Sequence, residues 1–296
     1  MKQIYRMINI SKQGHLSFID RHSREEKDNM LILSSIAALR YLHPQMGAKK
    51  MYQMLHPDGI GRDKFIAIAV SNGYGVRKIR NFQKTTIASR IYKYQNLING
   101  LVIYDINNVW VSDITYFKVG EAFYYLTFIE DIYSRRILGS IAYPTLQAKA
   151  NLYALNFALK NRDINHYQSL IHHSDRGVQY TSNEYINALE KHNIKISMCG
   201  SVYQNAFVER INGIIKNEYL NHWTINDFST LKNKLKLAVH LYNNERPHWN
   251  LGKMTPIGFE NYIKELPIEQ RIGLHLYNLN TEENNLKNVN QLCLFD

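Results

Sequence analysis

Cysteine is nearly absent: Cys199 and Cys293 are the only two in 296 residues, and they stand far apart. Neither a disulfide framework nor a cysteine zinc site is expected from them. Long apolar runs are missing too. No stretch is long enough to cross a bilayer, and Met1-Lys2-Gln3 does not open a signal peptide. A reducing cytoplasm with no membrane partner is the expected setting. Acids are in deficit, 25 against 36 Lys and Arg, which leaves a formal charge of +11. That excess points to a polyanion, nucleic acid first, although a ribosomal or membrane-surface protein carries the same sign. The hydrophobic share, 45%, is ample for a core, and the length allows two domains or one with extensions.

The deficit of acids becomes complete between Val76 and Leu97, where Arg77, Lys78, Arg80, Lys84, Arg90 and Lys93 occur without one and Phe82, Tyr92 and Tyr94 are interleaved. A solvated linker is the ordinary reading of such a run; an arm that tracks DNA phosphates is the functional one. Ahead of it, Ser23-Arg24-Glu25-Glu26 has the form of a capping box opening a helix to about Leu42, with Ile32, Ile36 and Leu39 on one face. Gly47 to Leu55 reads as a second helix and Arg62 to Val70 as a third, ending near Gly73. Short helices, glycine turns and bases suggest either a helix-turn-helix or a small bundle without DNA contact.

From Asn108 the pattern turns to strands. Asn108–Val119, Ala122–Ile129 and Ile137–Ala142 read as three strands in hairpins. A helix follows from Pro144 to about Lys160, then a strand ending at Asp175. Next come a helix capped at Thr181-Ser182-Asn183-Glu184, a strand over Ile194, Ile196 and Met198, and a helix from Asn205 to Tyr219. This is the ribonuclease-H-like order, an α/β class with a mixed five-stranded sheet and helices on both faces. A helix-turn-helix-like all-α region precedes it. The expected division is residues 1–75 helical and DNA-binding, 76–105 basic linker, 106–222 catalytic core, 223–270 helical extension and 271–296 flexible tail.

Three acids carry the chemistry. Asp113 interrupts the apolar strand Trp110-Val111-Ser112-Asp113-Ile114-Thr115-Tyr116, Asp175 ends the fourth strand, and Glu209 lies on the last core helix. A lone Asp175 in Ser174-Asp175-Arg176-Gly177 would be read as a turn residue. In the proposed sheet, however, the first and fourth strands are neighbours and the helix crosses their ends, so all three carboxylates can meet. Two like charges about 4 Å apart repel by roughly 4 kcal/mol at an effective dielectric near 20. A divalent cation resolves that conflict, and all-carboxylate ligation suits Mg²⁺ or Mn²⁺. Two such ions could hold the entering and leaving oxygens of a phosphoryl displacement. Arg210, Asn212 and Lys216, beside Glu209 or on its face, are expected DNA contacts. Gly213 would let a backbone come close. Glu218, nearly opposite Glu209, is expected to be a surface acid. The adjacent His172 and His173 face opposite sides of a strand and cannot share a metal; His173 could hydrogen-bond near Asp175 or equally be a structural histidine.

These stretches resemble a family. Trp110 to Tyr116, Asp131-x-x-Ser134-Arg135, His173-Ser174-Asp175-Arg176-Gly177-x-Gln179-Tyr180, Ser197-Met198, Asn205-Ala206-x-x-Glu209-Arg210-x-Asn212-Gly213, Tyr242-Asn243-x-x-Arg246-Pro247-His248 and Met254-Thr255-Pro256 are similar to bacterial insertion-sequence transposases with a retroviral-integrase-type core. The resemblance runs from about His43 to Phe259. It implies a triad of Asp113, Asp175 and Glu209 that cuts DNA with two Mg²⁺ ions and water, then joins a 3′-OH to target DNA, with Asp113 touching both metals. It also implies a circular excised intermediate, a homo-oligomer on DNA, and a frameshift fusion to an upstream helix-turn-helix protein. Thirty-three residues separate Asp175 from Glu209, two fewer than is usual in the family, and Gln204 replaces a common Asp. The shortening falls in the loop Cys199–Tyr203, so a difference is expected in loop and target contacts rather than in the triad. The His-His-Cys-Cys zinc module of retroviral integrases is missing.

Beyond the core, Phe228 to Asn244 reads as a helix with Leu231, Leu235, Ala238 and Leu241 on one stripe. An Asn-rich stretch, Asn278 to Asn290, leads to Gln291-Leu292-Cys293-Leu294-Phe295-Asp296. That end resembles the motif by which bacterial proteins bind the replicative sliding clamp; the other reading is a terminus folded on its own domain. The leading expectation is thus a DNA transposase at the bacterial nucleoid. A ribonuclease-H-like nuclease without strand transfer, a catalytically silent DNA-binding regulator and a structural nucleoid protein are the alternatives.

Overall fold

The computed structural model describes residue 5 and residues 10–76, 94–162, 169–199 and 206–276, with side chains of the last segment from 210 onward. The six bases between Arg77 and Lys93, Gln204, Asn205 and the tail with its Gln291–Phe295 motif lie outside the described residues. Two units divide the chain, residues 1–78 and 79–296.

In the first unit, α1 (Lys12–Leu42), α2 (Ala48–Leu55) and α3 (Arg62–Ser71) close on Ile36, Met46, Met51, Phe65 and Ala69. Helix α1 starts a full eleven residues before Ser23: its N-cap is Ser11, whose hydroxyl accepts from the Gly14 N–H at 2.9 Å. Nothing from Lys12 to His22 breaks a helix beyond one glycine in the first turn, so the better-placed cap wins. The Arg40 guanidinium donates to the carbonyls of Pro44 and Tyr74, tying the helix end to the far side of α3.

The second unit is built on strands whose β-branched and aromatic content matches a sheet buried on both faces. β2 (Val109–Val119), β3 (Ala122–Asp131) and β4 (Arg136–Tyr143) form an antiparallel meander; β5 (Ile171–Ser174) and β6 (Lys195–Met198) add parallel to β2. The spatial order is β4-β3-β2-β5-β6, the ribonuclease-H-like order. Alternation splits the side chains. Trp110, Ile129, Leu138 and Met198 meet α4 (Ala148–Arg162) and α5 (Asn183–Lys191) on one face. Leu126, Phe128 and Ile137 meet α6 (Ala206–Ile214) and α7 (Phe228–Asn244) on the other. Gly139 is obligatory where α4 crosses, since a Cβ would stand 2.1 Å from the Ala154 carbonyl oxygen. Helix α5 is capped by Ser182, which accepts from the Tyr185 N–H; Thr181 instead donates to the Val178 carbonyl.

Residues on either side of the expected core are also packed. Ile98 and Ile103, within the stretch read as linker, are buried, and β1 (Val102–Ile103) pairs with β7 (Leu274–His275), which falls within the stretch read as tail. Strands of two residues leave no periodicity to read. Helix α8 (Pro256–Glu265) carries Glu260 under the β3–β4 turn. Its carboxylate accepts from the Ser134 hydroxyl at 2.7 Å, from Arg136 at 2.7 Å and from both Arg162 nitrogens at 2.6 and 2.8 Å.

Candidate active site

Strands β2 and β5 run in register, Val111 opposite His173 and Ser112 opposite Ser174. One step further along each stands a carboxylate: Asp113 within β2 and Asp175 just past β5. Neighbouring strands lie about 4.8 Å apart, and residues in register share a face, so both acids leave the sheet on the same side. That side is fixed by the neighbours. The Ser112 hydroxyl meets the Tyr180 hydroxyl at 2.8 Å in the α4–α5 layer. Asp113 therefore alternates to the α6 side, where Asn212 Nδ2 donates to its Oδ2 at 2.7 Å.

Asp175 is held by its own turn. Its Oδ1 accepts from the Gly177 N–H at 3.0 Å, and a Cβ on Gly177 would stand 3.0 Å from that oxygen and 2.9 Å from Gln179 Oε1. Burial pushes the Asp175 carboxyl above the usual carboxylate range, and the Gly177 N–H offsets only part of this. Among the described residues no lysine or arginine pairs with it. Glu209 stands in α6, one turn ahead of Asn212, with its backbone described and its side chain outside the described residues. Among the described residues no three His, Cys, Asp or Glu side chains cluster as a metal site.

Lys216 lies where the helix changes form. The α-helix expected to reach Tyr219 ends at Ile214, and Ile215–Tyr219 is a π turn, a feature frequent at functional sites. From it Lys216 Nζ donates to Thr115 Oγ1 at 2.9 Å and to the Tyr116 carbonyl at 3.4 Å. Burial lowers the Lys216 pKa, against the pull of nearby Asp113. Arg210 is exposed on α6. Among the described residues, nothing stands within 4 Å of where a Cβ on Gly213 would be.

The structure decides between the two readings of His173 and revises that of Glu218. His173 bonds Ser197 rather than the neighbourhood of Asp175: its Nδ1 is 2.8 Å from the Ser197 hydroxyl, because β5 and β6 place the two in register. Burial lowers His173 to about 4 and His172 to about 3, so both rings are neutral, and His172 Nε2 lies 2.9 Å from the Tyr185 hydroxyl. Glu218 is not a surface acid. The π turn rotates it under Arg246, which binds it through Nε and Nη2, each at 2.7 Å. Sequence reasoning also missed Glu130, fully buried and opposite Val111 on the carboxylate face. Burial pushes it up to about 8, against the pull of Arg135 and Arg210. Its place in an apolar strand end, Phe128-Ile129-Glu130, was the available signal.

Fold and site define a ribonuclease-H-like domain that presents two carboxylates on adjacent parallel strands, one within β2 and one just past β5. Two models described as integrase core domain match the chain, one over residues 105–202 and one over 190–256. They overlap and together span half its length. Over that span the chain matches the integrase core domain, and it is similar to insertion-sequence transposases. An uncharacterized 31 kDa protein of insertion element IS600 from Shigella sonnei is 28% identical over 266 residues, 87% of this chain and 97% of that one. Transposase InsF of insertion sequence IS3A from Escherichia coli K12 is 34% identical over 161 residues, 52% of this chain and 54% of that one. The chain thus spans about half the length of that relative. Among solved structures, the HTLV-2 integrase catalytic core domain in complex with magnesium aligns with a TM-score of 0.43 at 23% identity, over 53% of this chain and 97% of that one. No described helix is long and apolar enough to cross a membrane.

Proposed function

We propose that this chain is a DNA transposase that cuts element ends and joins the freed 3′-OH to target DNA. The observation that carries the reading is the register of β2 and β5, which sets Asp113 and Asp175 side by side on the α6 face. Both are hard oxygen donors, and among the described residues no cationic side chain compensates the desolvated Asp175, so the residues fit a divalent cation. Asp113, Asp175 and Glu209 are the proposed ligands, Asp113 the shared one. Two Mg²⁺ or Mn²⁺ ions bound there would supply neutralisation of the entering and leaving oxygens of an in-line displacement. Asn212 orients Asp113 through its amide. Lys216, resting on Thr115, is placed to hold a phosphate beside the acids, with exposed Arg210 as a further contact.

The bases from Arg77 to Lys93 and the helices of the first unit complete the DNA contacts in this reading. A homo-oligomer on DNA in the bacterial cytoplasm, an upstream-frame partner and sliding-clamp docking through Gln291–Phe295 belong to it as well. A tail peptide that fails to bind the clamp removes the last of these.

The test is incubation of labelled element ends with Mg²⁺ and target DNA. Cleavage and joined products are expected, and Asp113→Asn, Asp175→Asn and Glu209→Gln each abolish both. Nicking without joining marks a nuclease; nicking untouched by Asp113→Asn refutes the site.

A further inference from the structure

A second surface opens at the wide end of the sheet. β5 accompanies β2 only as far as Ser112, and among the described residues no strand pairs with the outer edge of β2 from Asp113 to Val119. Along this end aromatic rings line up on the α4 face. Tyr116 stands opposite Tyr125, and Tyr125 opposite Tyr143, so the three share a face across β2, β3 and β4. Phe123 meets Tyr116 edge-on with centroids 5.6 Å apart, and Tyr153 of α4 meets Tyr143 at 6.2 Å. Phe123 is 50% exposed and Tyr153 38%, so the ladder faces solvent rather than core.

Cations are set over these rings. Lys118 Nζ lies 5.8 Å from the Phe123 centroid, Lys149 Nζ 5.8 Å from that of Tyr153, and Lys216 Nζ 5.2 Å from that of Tyr116. Lys118 also reaches Glu121 at 3.2 Å, an acid at the tip of the hairpin. Lys216 is the hinge of the argument, since it touches both Thr115 beside Asp113 and the first ring of the ladder. Rings interleaved with lysines are the recognition chemistry of unpaired nucleic acid: the rings stack on base faces and the ammoniums meet phosphates. A buried protein interface would not place three ammonium groups among its rings, because lysine is depleted there.

Resting on the DNA-transferase reading of the same domain, we infer that this aromatic ladder is a binding site for unstacked bases of a DNA strand that leaves the carboxylate site past Lys216. Three consequences follow for a strand passing over it. Stacking is worth about 1–3 kcal/mol per base, so each ring lost weakens single-strand binding by about five-fold to a hundred-fold. Sequence preference is weak, because every base has a π face. Intact duplex, whose bases are already stacked, does not engage it.

The experiment uses the full chain, an oligodeoxythymidine carrying one 2-aminopurine, and a blunt duplex of random sequence. Wild type is expected to bind both and to quench 2-aminopurine. The double variant Phe123→Leu with Tyr153→Leu, both at exposed positions, is expected to lose the quench and at least ten-fold in single-strand affinity, with duplex affinity and Tm kept. Retention of quench and affinity by the variant overturns the inference. So does conversion of an oligomer to monomers by the variant with single-strand binding intact, since the ladder is then a contact for a second copy. Wild type that binds neither DNA overturns the DNA-transferase reading itself, a result distinguishable from the other two.

Discussion

Glu260 and Asp175 are both desolvated carboxylates of the same domain, and their surroundings differ in kind. Burial alone would raise the Glu260 carboxyl, yet the Arg162 and Arg136 guanidiniums and the Ser134 hydroxyl outweigh it and hold it below the usual range. Its neighbour Asp131 adds an Arg162 contact at 3.3 Å and the N–H groups of Asn107, Tyr133 and Ser134. Asp175 has one turn N–H, Asp113 beside it has the neutral amide of Asn212, and burial leaves Asp175 raised. Protein cations hold the Glu260 cluster; in the reading proposed above, the Asp113 and Asp175 pair takes its cation from solution.

The comparison breaks most visibly in activity. Asp175→Asn is expected to lower strand cleavage and joining by about a thousand-fold or more while the fold keeps its Tm or gains a little, because an uncompensated buried charge has gone. Product gels and a thermal melt check the pair of outcomes. Glu260→Gln is expected to do the reverse. Removing one side of a buried ion-pair network costs about 3–5 kcal/mol, with residual activity scaling only with the folded fraction; urea unfolding measures it. Since the Glu260 carboxyl is depressed, its stabilisation is present above the unfolded carboxyl range and lost as pH falls through the folded value, a loss missing from the variant.

Smaller effects sharpen the contrast. Gly177→Ala brings a methyl against Asp175 Oδ1 and Gln179 Oε1, and is expected to cut activity by about ten-fold with less than about 1 kcal/mol lost in stability. Glu130 supplies a pH signature. Its carboxyl is raised to about 8, so between the ordinary carboxyl range and pH 8 the native state keeps a proton that the unfolded chain releases. Stability then falls as pH rises across that window. Glu130→Gln is expected to flatten the slope, seen as melts that no longer move down between pH 5 and 8. A variant that melts with the wild-type slope would remove Glu130 from the account.

Much of the sheet was legible because its signals are local. Alternation in Val109–Val119 and the turn at Gly120 mark a hairpin, and Leu231, Leu235, Ala238 and Leu241 mark α7. Asp113 stood out because it interrupts an apolar strand, a signal that structural Asp131 shares; only the register with β5 sets Asp113 beside Asp175. What was hidden depends on partners distant in sequence. Glu218 looked like a free surface acid by helical spacing, but it sits part-buried on a π turn, bound by Arg246, 28 residues on. His173 looked like a neighbour of Asp175, but its partner Ser197 comes from another strand. Ser23 had the form of a cap, while Ser11, without a glutamate three residues on, caps the helix. The two-residue strands β1 and β7 carry no period at all.

The central claim, that Asp113 and Asp175 form a cation site and Glu260 does not need one, is tested by melting the full chain across a Mg²⁺ titration without DNA. A ligand that binds only the native state stabilises it by about 2.7 kcal/mol at a hundred times its Kd. The account predicts a Tm that climbs with Mg²⁺ in wild type and stays flat in Asp113→Asn and Asp175→Asn. A climb of equal size in both variants would contradict it.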